Sequence, residues 1–66
     1  MTYELQCEAL DPWSEEDFID LYRGEELFAT ILHEQQMIIL YDRHNQSIVK
    51  DWVRINGYEH YKMQLA

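Results

Sequence analysis

Three kinds of side chain in this sequence have chemistry to offer: one cysteine, three histidines and thirteen carboxylates. Cys7 would react through its thiolate, which needs a nearby cation or a helix N-terminus, yet it stands between Gln6 and Glu8. Its alternation with Tyr3 and Leu5 places it on an inward strand face, where a buried thiol is expected. A zinc site would need three or four protein ligands at recognisable spacing. Asp42 and His44 lie two apart, and His33-Glu34-Gln35-Gln36-Met37 lacks the second histidine of H-E-x-x-H. These histidines read as solvated loop residues, so no metal or cofactor is expected. The only glycines, Gly24 and Gly57, make no phosphate-cradling loop. Hydrolysis by paired carboxylates needs one acid in an apolar pocket, and so short a chain has little room for a deep cleft. A non-enzymatic protein is the expectation.

The carboxylates themselves carry the stronger signal. In DPWSEEDFIDLYRGEE, residues 11–26, seven acids surround the single base Arg23. Ten acids and one base lie between Met1 and Glu34, whereas Gln35 to Ala66 holds three acids and four bases. The formal charge of −8 therefore resides in the first half. Such a field repels phosphate backbones and anionic membranes and speeds encounter with basic proteins. The expected role is a binding module, in the manner of an inhibitor or DNA mimic, that docks on a basic protein surface, such as that of a nucleic-acid-binding protein, without touching nucleic acid or membrane itself.

Trp13 adds an apolar element to that surface. It stands before Ser14, where it could pack on Phe18 as a hydrophobic staple or serve as an exposed aromatic anchor within an acidic rim. Glu15, Glu16 and Asp17 suit the first turn of a helix, so capping explains part of the acid count. The candidate partner-binding residues are Asp11, Trp13, Glu15, Glu16, Asp20, Glu25 and Glu26.

These residues need elements to position them. Thr2 to Glu8 alternates as a half-buried strand. Asp11-Pro12 breaks the chain, Ser14 with Asp17 approximates a capping box, and Phe18, Leu21 and Tyr22 form a helical stripe that Gly24 can end. Leu27 to Leu32 and Met37 to Tyr41 read as a hairpin over a longer loop, with Leu27 to Gln35 as a helix the alternative. Ser47 is a candidate cap for a helix carrying Ile48, Val49, Trp52, Val53 and Ile55, closed by Asn56-Gly57. Tyr58 to Leu65 alternates as a last strand. The order is β-α-β-β-α-β, a ferredoxin-like α+β two-layer sandwich, with β-α-β-α-β and a longer first helix as its alternative. Either leaves a sheet face uncovered, which Tyr3 and Tyr58 could reach.

All 66 residues read as one domain, small enough that a bound partner or self-association would add to a core burying only about 60% of the unfolded surface. Nine aromatic residues and a 47% hydrophobic content exclude a disordered acidic tail. One cysteine cannot form an internal disulfide, the N-terminus lacks a signal-peptide pattern, and no apolar run spans a membrane, so a soluble cytoplasmic protein is expected.

Two other function classes compete. The stretch IILYDRHNQSIVKDWVRINGYEH resembles the strand, aspartate, helix and Gly/His segment of small sulfur-carrier proteins of the sulfurtransferase type. That resemblance implies a carrier or redox cysteine, for which Cys7 is the one available residue. Members carry that cysteine directly before a Pro-containing helix start in a Cys-Pro-x-Pro motif; here Glu8-Ala9-Leu10 follows Cys7, and Pro12 stands alone. The third class is a structural subunit that self-associates through a sheet face or strand edge.

Overall fold

Ile19 and Leu21 alternate with Phe18, Asp20 and Tyr22, and in the computed structural model, which describes residues 10–66, this period of two is a strand. The strands are β1 (Asp11–Ser14), β2 (Phe18–Arg23), β3 (Glu26–Leu32) and β4 (Met37–Leu40). A 3-10 turn (Arg43–Asn45), helix α1 (Gln46–Ile55) and strand β5 (Lys62–Leu65) complete the chain. The sheet follows sequence order, β1-β2-β3-β4-β5. Its first four strands form an antiparallel meander, and β5 pairs in parallel with β4. Parallel neighbours need a crossover, and α1 supplies it.

Over the described residues the fold is α+β, a mixed sheet with one α-helix, so two expectations are corrected. The segment around Ser14 to Tyr22 is not a helix: Ser14 lies in β1, residues 15–17 turn, and the capping box does not form. The ferredoxin-like β-α-β-β-α-β order and the β-α-β-α-β alternative are both absent over these residues. The reason lies at Gly24. Its φ of +61° falls at the first of two residues between the paired Arg23 and Glu26, as a type II′ hairpin turn requires. Gly24 therefore joins two strands rather than stopping a helix. The expected strand over Thr2 to Glu8, with Tyr3 and Cys7, lies outside the described residues.

The hairpin over Leu27 to Tyr41 forms as expected, with a turn at residues 33–36 joining β3 and β4. Gln36 closes that turn at φ +53°. Its carbonyl accepts the Lys62 N–H at 3.1 Å and so starts the β4–β5 pairing.

Buried positions of the sheet alternate onto one face. Ile19, Leu21, Ala29, Ile31, Ile38 and Leu40 join Val49, Trp52 and Val53 of α1 in a single core, with Leu10 added from ahead of β1. The i, i+3, i+4 spacing of Val49, Trp52 and Val53 is what lets one helical stripe cover this face. Between Leu21 and Tyr22 the register against β3 slips by one residue. That bulge buries Phe28 and Ala29 in succession.

The ends of α1 depart from expectation at one side and meet it at the other. Ser47 is not the cap: α1 starts after Asn45, which makes no side-chain cap bond, and the 3-10 turn leading into the helix is itself capped by Asp42, whose carboxylate accepts the His44 backbone N–H at 3.0 Å. That backbone hydrogen bond, followed by the His44 ring contact, holds the Asp42 pKa below its ordinary value. At the far end Gly57 has φ +86°, the Tyr58 N–H reaches Val53 O at 2.9 Å, and the Gly57 N–H reaches Arg54 O at 3.4 Å. These two bonds are a Schellman closure, which turns the chain back so that Tyr58 stacks on Trp52. Tyr58 therefore belongs to the helix side of the molecule and not to an uncovered sheet face. Among the described residues no helix is long and apolar enough to cross a membrane.

Candidate functional site

Among the described residues the acidic segment of residues 11–26 forms the hairpin β1–β2 at one edge of the sheet and the turn beyond it. Glu15 donates its N–H to Phe18 O at 2.9 Å, which marks that pair as hydrogen-bonded. Antiparallel alternation then makes Trp13/Asp20 and Asp11/Tyr22 the next bonded pairs, leaving Pro12 and Ser14 with their backbone outward. Pro12 has no N–H to offer there. Among the described residues no strand pairs with the outer edge of β1, and Pro12 leaves that edge one donor fewer for strand addition.

Those side chains are distributed along the hairpin. Glu15 and Glu16 occupy the β1–β2 turn, joined by Asp17. Asp11 sits at the opposite end, near Glu25 and Glu26 in and after the β2–β3 turn. All are exposed. β1 itself separates the two groups by roughly 10 Å at the rise of an antiparallel strand. Trp13 lies between them, 48% exposed, and packs on Phe18 with ring centroids 5.9 Å apart. The expected Trp13–Phe18 contact therefore exists, but it is a diagonal pair across two strands and not a helix staple.

Asp20 differs from the other acids. It is half-buried on the sheet face away from α1, and the Thr30 hydroxyl donates to its Oδ1 at 2.7 Å. Thr30 has one proton, so Tyr41 OH, 2.9 Å away, donates to Thr30 in turn. Asp20 is thereby tied into a structural chain and withdrawn from the exposed array. Arg23 lies over the Phe28 ring at 5.7 Å, where it adds a cation–π contact near the acidic end.

The residues considered for metal binding have other occupations. His44 Nδ1 lies 3.0 Å from Asp42 Oδ1 in the exposed cap of the 3-10 turn. His33 packs in an aromatic group with Tyr58 and Tyr61, its Nδ1 3.2 Å from Tyr61 OH. Among the described residues no group of three or more His, Cys, Asp or Glu is gathered for a metal ion. Cys7 lies outside the described residues.

One feature escaped the sequence reading. A groove of about 390 Å³ opens between α1 and the segment leading into β5, although a chain this short was expected to have little room for a deep cleft. Ile38, Val53 and Met63 line it, with Tyr61. Lys50 and Arg54, one helical turn apart, also line it, as do Asp51 and Glu59. Asp51 is buried, and its Oδ1 accepts from Arg54 Nη2 at 3.4 Å. The Lys50/Arg54 spacing was visible in the sequence, but the return of Tyr61 and Met63 to the same place was not.

Comparison with protein-family models, curated proteins and solved structures finds no match for this chain.

Proposed function

We propose that this chain is a non-enzymatic binding module that presents its edge hairpin to a basic surface of a protein partner. The observation that carries this reading is Trp13, half-exposed at the centre of an edge strand with exposed carboxylates at both ends. A large aromatic ringed by charge has the composition of an interface anchor. Phe18 packs on Trp13 from the neighbouring strand, so less ordering of the side chain remains to be done on binding. Asp11, Trp13, Glu15, Glu16, Glu25 and Glu26 make the contact. Asp20 stiffens the sheet that carries them. Proteins that bind nucleic acid offer basic surfaces of the required kind, and inhibition of such a partner would follow from occupying that surface.

The test is capture of partners from extracts of the source cells by the tagged chain, beside a quadruple variant with Glu15, Glu16, Glu25 and Glu26 changed to lysine. A genuine hairpin partner is retained at about 50 mM salt, released toward about 500 mM, and absent from the variant. Capture that survives both high salt and charge reversal would refute the mechanism.

A further inference from the structure

The charge asymmetry divides the folded molecule as well as the sequence. Residues 11–26, on one edge of the sheet, hold seven acids and one base, whereas residues 43–66, which build α1 and the opposite edge, hold four bases and two acids. Arg43 and Lys50 flank a shallow depression beside the start of α1, and Lys50 with Arg54 continues the basic strip along the rim of the 390 Å³ groove. Asp51 makes an ion pair with Arg54 and Glu59 also lines the groove, so the basic excess lies toward Lys50 and Arg43 at the adjoining depression. One end of the chain therefore offers an exposed indole between carboxylates. The other offers an apolar floor of Ile38, Val53 and Met63 beneath a lysine and an arginine.

We propose that the Trp13 hairpin of one copy docks in the α1–β5 groove of a second copy. The inference rests on the reading of the hairpin as a binding surface and names this chain as a partner. The groove is at the lower end of the size range of small-ligand sites and matches the scale of a single aromatic side chain. Glu15 and Glu16 meet the basic rim as the indole enters. Because the two patches differ, the contact is heterologous: the pair keeps one unused groove on the first copy and one unused hairpin on the second, and assembly proceeds head to tail.

That asymmetry supplies the test. Light scattering and sedimentation on the full chain, across roughly a hundredfold range of concentration, report the mass. At about 50 mM salt the mass should rise with concentration, and at about 500 mM it should return to that of a monomer. Trp13→Ala and Lys50→Glu should each abolish assembly. Mixed together they should form a dimer that grows no further, since the first retains an intact groove and the second an intact hairpin. Glu59→Gln should strengthen assembly by relieving repulsion at the rim. Circular dichroism of each variant confirms the fold, and Glu15→Lys with Glu16→Lys replaces Trp13→Ala if that change unfolds the chain. A wild-type chain that stays monomeric at every concentration, or assembly indifferent to both lesions, overturns the proposal. A monomeric chain that still shows the salt-sensitive, hairpin-dependent capture described above loses only the self-contact; one that shows neither loses both readings.

Discussion

Thr30 and Asp20 face each other across β2 and β3, and the threonine hydroxyl donates to the carboxylate at 2.7 Å. Since Tyr41 OH must then donate to Thr30, the three groups form a directed chain from phenol to hydroxyl to carboxylate. Each link polarises the next. A charged acceptor in a half-buried position makes the inner link the stronger one.

Thr30→Val should cost about 1.5–3 kcal/mol, because it removes a hydrogen bond to a charged group and leaves Asp20 with less compensation. Tyr41→Phe should cost about 0.5–1.5 kcal/mol, since Tyr41 is exposed and only the neutral link is lost. Urea unfolding of both single variants and the double checks this. If the chain is coupled, the double variant loses less than the sum of the singles.

Gly57→Ala meets no neighbouring atom within 4 Å, so its cost comes from backbone conformation alone. At φ +86° that cost should be about 1 kcal/mol. Gln36→Gly should be neutral or stabilising by up to about 1 kcal/mol, because glycine relieves the positive φ that glutamine now bears. The thermal melt should fall for Gly57→Ala and hold or rise for Gln36→Gly, and a shift of Gln36→Gly to markedly lower temperature would contradict the argument.

The Asp42 cap should weaken in acid. Its folded pKa is depressed, first by the His44 backbone N–H. Its contribution is therefore present above the ordinary value of 3.8 and is lost as pH falls through the lower folded value. The His44 amide proton resonance should titrate with a midpoint below 3.8. In Asp42→Asn that titration should vanish.

Charge reversal in the β1–β2 turn should separate binding from stability. Glu15 and Glu16 are exposed in a turn that β2 and β3 hold from behind, so changing both to lysine should alter stability by no more than about 0.5 kcal/mol. Trp13→Ala should cost about 0.5–1.5 kcal/mol through its ring contact with Phe18. Denaturation and partner binding measured on the same samples distinguish these effects. A turn variant that loses binding only because it unfolds would remove the case for a charge-mediated contact.

The acidic segment shows where local reading failed. Phe18, Leu21 and Tyr22 satisfy a helical stripe, and Ile19 and Leu21 equally satisfy a strand. Six residues hold too little periodicity to choose between them. Gly24 was compatible with a helix end or a hairpin turn, and the pairing of Arg23 with Glu26 decided for the turn. Nothing local announced that Asp20 would meet Thr30, because that contact depends on register. Asn56-Gly57, by contrast, was legible, since Schellman closure is a local motif whose geometry favours glycine.

What the sequence determined by itself is the acidic half, the apolar content of a folded domain and the helix closed at Gly57, while it favoured the β3–β4 hairpin without excluding a helix over Leu27 to Gln35; each rests on composition or on contacts between near neighbours. The tertiary structure alone decided that the acids line a hairpin rather than a helix, that Asp20, opposite Trp13, is tied into a hydrogen-bonded chain, and that Lys50 and Arg54 share a groove with Tyr61 and Met63. Those outcomes depend on strand register and on the crossover that brings β5 beside β4, and such non-local pairings are set by burial of the whole core rather than by any short stretch of residues.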